Sequence, residues 1–322
     1  MVIDKSNYLK VLEEFPLQCK KALELPKGMT VSSDISNIVV CGMGGSAIGG
    51  DLLKAYLSKT IPVIVNRDYG LPKFVDSSSL VFLVSYSGNT EETLSCLKEA
   101  ESKGAKLIAI TSGGELSEQC KKIIKIPSGM QPRAALGYLF FPMMGLLHNS
   151  GIIEVRNEEL NEMLAALKDT AYYKEHGEAL SKKIRDKIPL IYSSQLFEPV
   201  AYRFKTQINE NSKQPAFHHV FPEMNHNELV GYKHTSREKF VAILIRDKDD
   251  HQRIKKRMDI FKSIVERKVE VAEISTKGSY LLSRMFSTIY LGDFASYYLA
   301  LYNREDPAPV EVIEYLKREL MK

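Results

Sequence analysis

Between a β-branched run and a segment of helical character the chain reads Val39-Val40-Cys41-Gly42-Met43-Gly44-Gly45-Ser46-Ala47-Ile48-Gly49-Gly50, with five glycines in the nine residues from Gly42. Glycine lets a backbone turn tightly and approach a ligand closely, and a helix that begins there aims its unpaired N–H groups and positive dipole end at an anion. The stretch reads as a phosphate loop joining a strand to a helix.

The same alternation continues on either side of it. Ile38-Val39-Val40, Pro62 to Val65, Leu80 to Val84, Leu107 to Ile110 and Ile123 to Ile126 are apolar runs of strand length. Helical segments from Ala47 to Ser58, Glu91 to Ser102 and Glu115 to Lys122 lie between them. Strands apolar on both faces, alternating with helices, predict a parallel sheet covered on both sides. Ahead of them, Leu9, Leu12, Phe15, Cys19, Ala22 and Leu23 recur at helical spacing and predict one opening helix over residues 5 to 25, lying on this first domain. Pro127-Ser128-Gly129 interrupts the pattern, and helices follow to Lys187. A second α/β round begins at Ile188 and runs through a helix from Glu198 to Ser212, the strands Phe217 to Phe221, Phe240 to Ile245 and Val269 to Val271, and closing helices at Tyr280 to Tyr302 and Val310 to Leu320. The chain of 322 residues is therefore expected to comprise a first domain over 1-150, a helical connection over 151-187 and a second domain over 188-322.

Composition narrows the function. A net charge of +4 is the small difference between 44 basic and 40 acidic residues, which argues against a nucleic-acid or membrane surface. Arg253-Ile254-Lys255-Lys256-Arg257 reads as the solvated face of a helix. The longest apolar run, Leu136 to Leu147, contains Gly137, Pro142 and Gly145 and is shorter than the ~20 residues of a spanning helix, so a core helix is expected. Cys19, Cys41, Cys96 and Cys120 form no C-x-x-C pair and follow no secretory apolar segment, so they are read as reduced packing residues of a cytoplasmic protein. Cys41 beside the loop is a conceivable nucleophile, with no obvious base next to it.

Gly42-x-Gly44-x-x-Ala47 also satisfies a dinucleotide fingerprint, with Asp68 as candidate ribose ligand. A second loop favours a different ligand. Ser85-Tyr86-Ser87-Gly88-Asn89-Thr90 again joins an apolar strand to a helix, and it packs three hydroxyls around one turn. Hydroxyls and N–H groups from two strand ends suit one compact terminal phosphate better than an extended pyrophosphate. Helix capping by Ser or Thr accounts for one of the hydroxyls, not three.

Gly44-Gly45-Ser46 together with Ser85 to Thr90 resembles the sugar isomerase (SIS) domain. The whole chain resembles the short phosphoglucose/phosphomannose isomerases of archaea and bacteria, most specifically in Met130-Gln131-Pro132-Arg133-Ala134-Ala135-Leu136-Gly137, Asn209-Glu210-Asn211-Ser212-Lys213 and Pro222-Glu223-Met224-Asn225-His226-Asn227-Glu228. The resemblance implies two flavodoxin-like SIS domains in tandem. It also implies a cofactor-independent aldose-ketose isomerase of central carbohydrate metabolism (glycolysis and gluconeogenesis), interconverting glucose 6-phosphate and mannose 6-phosphate with fructose 6-phosphate through a cis-enediolate. A non-catalytic sugar-phosphate sensor, or an isomerase of another sugar phosphate, is the alternative. A sensor needs the phosphate loops but has no use for a catalytic carboxylate.

Such an isomerisation opens the sugar ring, removes a proton beside a carbonyl, stabilises an enediolate and returns the proton to the neighbouring carbon. Phosphate binding falls to Gly45, Ser46, Ser85, Ser87 and Thr90. Phe197, Val200, Ala201, Phe204 and Ile208 form the buried stripe of one helix, and at ~100° per residue Glu210 lies about 200° from Ile208, off that stripe. An off-stripe Glu is usually a surface residue, and the family motif is what makes Glu210 the base. Arg133, after Pro132, is placed to hold an enediolate oxygen or, without the resemblance, is a surface arginine at a domain junction. His226 lies in polar surroundings suited to a titrating imidazole; in the family this histidine assists ring opening and comes from the neighbouring subunit, which implies a homodimer. Lys317 is at the edge of the stripe Val310, Ile313, Leu316 and Leu320, where a lysine also simply snorkels. In related isomerases a lysine on the terminal helix reaches the ring oxygen, with Arg318 and Lys322 as rivals here. His218, His219, His226 and His234 match no zinc spacing, and no metal is expected. One departure stands out: dual-specificity relatives carry threonine and glucose-only relatives glutamine before the last helix, whereas this chain reads Asp306-Pro307-Ala308-Pro309-Val310.

Overall fold

Pro16 divides the segment that spacing predicts as one opening helix. The computed structural model, which describes residues 2–320, has α1 (Tyr8–Glu13) and α2 (Phe15–Glu24) instead, with Pro16 in the first turn of α2. Proline lacks the N–H that a continuous helix would need there, yet its fixed φ suits a helix start. The two short helices also part company. The chain forms two compact units, one over Glu14–Leu164 and the other made of the residues up to Glu13 together with those from Ala165 onward. The opening helix therefore does not lie as a whole on the first α/β unit.

In the unit over Glu14–Leu164 the predicted alternation is found. After α2 come β1 (Asn37–Cys41), α3 (Gly44–Tyr56), β2 (Val63–Asn66), β3 (Ser79–Val84), α4 (Glu91–Ser102), β4 (Lys106–Thr111), α5 (Gly114–Gln119) and β5 (Ile123–Lys125). A 3₁₀ turn at Pro132–Ala134 leads into α6 (Leu136–Asn149), and α7 (Asn157–Lys168) carries the chain onward. All strands are parallel in the order β2-β1-β3-β4-β5, with Ile38 opposite Val63 on one side and opposite Leu80 on the other. The first strand is thus interior, and the chain reverses direction across the sheet between β1 and β3, the flavodoxin-like arrangement. Val39, Val81, Leu83 and Ala109 on one face pack with Cys96, Leu97 and Ala100 of α4. The predicted core helix is α6, buried without interruption from Leu136 to Met144. It approaches α3 so closely that a Cβ on Gly49 would stand 2.6 Å from the Leu139 carbonyl oxygen. Among the described residues no helix is long and apolar enough to cross a membrane.

The other unit repeats the plan. α8 (Thr170–Ile184) precedes β6 (Ile188–Ser194), α9 (Glu198–Ser212), β7 (Phe217–Phe221), β8 (Phe240–Arg246), α10 (Gln252–Val265), β9 (Glu270–Ser275), α11 (Leu281–Tyr302) and α12 (Glu311–Leu320). Its strands are also parallel, in the order β7-β6-β8-β9, so its first strand is again interior and the same reversal falls between β6 and β8. Two parallel sheets of α/β class are present in tandem, as the sequence predicts.

The helix carrying Glu210 is held by polar bonds as well as by apolar burial. Arg203, Gln207 and Asn211 recur every fourth residue of α9, and a helix of 3.6 residues per turn puts them in one row. Arg203 and Gln207 both bond Asp293 of α11, at 2.7 and 3.1 Å, and Asn211 bonds Ser296 at 3.0 Å. Arg203 and Asp293 are both nearly inaccessible, and a buried ion pair tolerates little displacement because separating it leaves an uncompensated charge. The row therefore fixes the rotation of α9 about its own axis.

Candidate active site

The two sequence-predicted phosphate loops meet at the carboxyl ends of β1 and β3. Ser46, in the first turn of α3, accepts a bond from the Tyr86 N–H at 3.3 Å, which ties one loop to the other. Ser85 and Thr90 share a hydroxyl–hydroxyl bond of 2.8 Å, and Ser85 also accepts from the Gly88 N–H at 3.1 Å. Ser87 is exposed and accepts from the Asn89 N–H at 3.3 Å. Met43 and Thr90 stand at the N-cap positions of α3 and α4, and neither makes a side-chain cap bond. The capping alternative for Thr90 thus fails, and the first-turn N–H groups of two helices stand at adjacent strand ends, the setting in which an anion satisfies them. Gly88 has φ +77°, and a Cβ there would fall 1.8 Å from the Gly113 carbonyl oxygen, so this turn requires glycine.

Arg133 joins the same cluster through close backbone approach. A Cβ on Gly45 would meet the Arg133 nitrogen at 2.9 Å and the Pro132 carbonyl carbon at 3.0 Å, so the absence of a side chain is what lets the 3₁₀ turn lie on the start of α3. Arg133 is 3% exposed, which rules out the open-surface reading. Two residues that sequence reasoning did not single out hold this turn in place. Tyr86 donates its hydroxyl hydrogen to the Pro127 carbonyl at 2.9 Å and accepts from the Met130 N–H at 2.8 Å. Burial pushes its phenol above the ordinary range, against the opposing Met130 bond, so the hydroxyl keeps the proton it donates. Gln18 of α2 donates to the Ala134 carbonyl at 2.9 Å and accepts from the Gly137 N–H at 2.7 Å, bracketing the exit of the turn. Only the helical spacing of α2, which turns Gln18 toward the same side as Cys19 and Ala22, hinted at its burial.

Cys41 and Asp68 gain nothing from the structure as functional groups. The Cys41 thiol is buried, and its contact with Cys96, reinforced by burial, pushes it far above the ordinary thiol range, which opposes thiolate formation. Asp68 is exposed and accepts from its neighbour Tyr69 N–H at 2.7 Å.

Glu210, His226 and Lys317 belong to the other unit. Glu210 is half-buried in the last turn of α9, off the row that Arg203, Gln207 and Asn211 present to α11. His226 is exposed at the end of a 3₁₀ turn, Glu223–His226, and the neighbouring Glu228 is anchored by the buried Tyr192 hydroxyl. Lys317 lies on α12, all of whose residues are exposed, including Val312, Ile313, Leu316 and Leu320 of its apolar face. Lys322, the weaker rival, lies outside the described residues.

The second sheet has a switch point equivalent to that of the first, and the side chains beside it differ. Beyond β8, Asp247 accepts from Arg284 Nε and from the Thr276 hydroxyl, both at 2.7 Å, while Arg284 Nη2 reaches Asp249 at 2.8 Å. Asp250 accepts from the Asp247 N–H at 3.1 Å, and burial raises its carboxyl above the usual range. Where the first sheet offers donors, the second is lined with its own carboxylates.

Fold and loops together define a protein of two SIS domains. The family model "SIS domain" matches residues 33–147, and that of the "bacterial phospho-glucose isomerase C-terminal SIS domain" matches residues 173–320. A relative from Caldicellulosiruptor bescii named bifunctional phosphoglucose/phosphomannose isomerase is 46% identical, over 95% of this chain and 96% of its own length. One of the same name from Aquifex aeolicus is 42% identical over 88% and 90%. Among solved structures, the C-terminal domain of glucosamine-fructose-6-phosphate aminotransferase from Francisella tularensis superposes with a TM-score of 0.72 at 16% identity, covering 94% of this chain and 97% of that one, a likeness of fold. The chain belongs to the bifunctional phosphoglucose/phosphomannose isomerase family, as its motifs predict.

Gln18 provides a test of the Arg133 turn. Gln18→Leu keeps the apolar volume but orphans a buried carbonyl and a buried N–H, each costing about 1–3 kcal/mol. Urea unfolding is expected to show a loss on the order of 2–4 kcal/mol.

Proposed function

We propose that this protein interconverts glucose 6-phosphate, and mannose 6-phosphate as well, with fructose 6-phosphate, without a cofactor. The reading is supported above all by the clustering of Gly45, Ser46, Ser85, Ser87, Thr90 and Arg133 at one pair of strand ends, within a chain whose relatives carry that activity in their names. The loops hold the terminal phosphate by N–H groups and hydroxyls. Arg133 donates to the oxygen that becomes negative as the enediolate forms, where charge-assisted bonds strengthen as the reaction proceeds. Glu210 takes the proton from C2 of the open aldose and returns it to C1, while the hydroxyl proton on O2 is exchanged for one on O1. His226 and Lys317 open the ring, Lys317 at the ring oxygen. His226 serves the site of a second copy, so the working form is a homodimer in the cytoplasm.

Coupled assays with all three hexose phosphates, run with and without EDTA, are expected to show turnover of glucose and mannose 6-phosphate that the chelator leaves unchanged. No turnover of either sugar would sink the proposal, and the mannose arm is read separately because Asp306 to Val310 carries neither of the specificity residues of its relatives. Glu210→Gln should lower kcat by at least ~10²-fold with little change in KM, as expected for loss of a general base. Wild-type turnover in that variant removes Glu210 from the mechanism. Mixing inactive His226→Ala with inactive Glu210→Gln under conditions of subunit exchange should restore part of the activity through hybrid dimers, and no recovery after demonstrated exchange refutes the shared site.

A further inference from the structure

We propose that Lys213 is a positioning residue for the reaction: its ammonium group fastens the turn that carries Glu210 to the segment that leads into α12, so that the base and Lys317 are held by a common clamp. The assignment rests on the isomerase reading above. Lys213 Nζ donates toward four main-chain carbonyl oxygens, two from each segment. Those of Glu210 and Asn211 lie at 2.9 and 3.3 Å, and those of Asp306 and Pro307 at 2.8 and 3.1 Å. An ammonium has three donors, so it sits at the centre of a nest of carbonyls rather than against a single partner.

Two features argue that this is more than an ordinary helix end. Lys213 closes α9 with φ 53° and ψ 36°, the left-handed conformation that glycine adopts at helix ends without steric penalty. A lysine there keeps a less comfortable backbone, and its side chain supplies a cation to the helix C-terminus, where the last carbonyls lack partners and the dipole is negative. Other polar side chains of the motif are fastened as well, two of them to the same residue of α11. Asn209 bonds the Gln214 carbonyl at 2.8 Å, Asn211 bonds Ser296, and Ser212 donates to the Ser296 carbonyl at 2.7 Å. Lys213 reaches the stretch before α12. That stretch is pinned a second time, because Asp306 accepts from Ser6 at 2.9 Å and from the Ala308 N–H at 3.3 Å. α12 starts at Glu311, shortly beyond the clamped carbonyls, and Lys317 is in its second turn.

A helix end that needed only a left-handed cap would be served as well by glycine, so Lys213→Gly separates the two roles. It preserves the turn and removes the ammonium. In full-length enzyme we expect kcat to fall at least ~10-fold with KM within about threefold of wild type, the signature of lost alignment rather than lost substrate binding. Hydrogen exchange should quicken across residues 306–320 and leave the sheet amides unchanged. Lys213→Asn tolerates the left-handed backbone and retains an amide donor, so an intermediate kcat is expected, and it carries the same test should the glycine variant not fold. A kcat within about twofold of wild type in the folded variant, or a raised KM at unchanged kcat, overturns the proposal. If wild type turns over no hexose phosphate, the isomerase reading fails instead, and exchange in 306–320 that the substitution leaves unaltered then overturns the clamp itself.

Discussion

Parallel pairing of β1 with β3 is the constraint from which the candidate site follows. Strands joined by helical crossovers all point their carboxyl ends the same way, and because β1 is interior, the connections leaving β1 and β3 depart to opposite faces and leave a crevice between them. Two helices then begin at neighbouring strand ends, and the loops before them must be short and tight. Ser46 bonded to the Tyr86 N–H and Ser85 bonded to Thr90 are what that geometry makes of six polar side chains and several glycines. The apolar burial of Val39, Val81 and Leu83 holds the strands, and the strands hold the loops.

Arg133, the proposed enediolate donor, shows how little local structure a side chain needs when its surroundings supply the rigidity. The 3₁₀ turn that bears it is three residues long, and it is fixed from three directions: by Gly45 below, by Tyr86 on the preceding segment and by Gln18 at the exit. The α9 end that bears Glu210 is organised on the same principle. Its rotation is set by Arg203, Gln207 and Asn211 against α11, and its last turn by Lys213. In both places the groups that touch the backbone outnumber those offered for chemistry.

What could be read from the sequence follows from what periodicity records. The strand runs, the two loops and the buried stripe of α9 are local patterns, and nearly all reappear within a residue or two. The opening segment is two helices rather than one because helical spacing continues through Pro16 while the proline breaks the hydrogen bonding; spacing cannot tell one helix from two in register. Gln18 and Tyr86 leave no sequence signal because the partners that define their role are main-chain atoms more than forty positions away. The left-handed turn at Lys213 is equally silent, since nothing in an Asn-Ser-Lys run announces a positive φ. Glu210, His226 and Lys317 carry almost no signal of their own, and only the family motifs distinguish them from surface residues.

The carboxylates and Arg284 beside the switch point of the second sheet give the two switch points different thermodynamic characters. A crevice whose donors await an anion is strengthened by mass action when the anion arrives, in proportion to the logarithm of its concentration over Kd. At the second switch point Asp247 is already bonded to Arg284, an ion pair within the chain whose contribution does not depend on the concentration of a ligand. On the proposed reading, sugar phosphate adds a concentration-dependent increment of stability through the phosphate loops, whereas the Asp247–Arg284 pair contributes the same at any sugar supply.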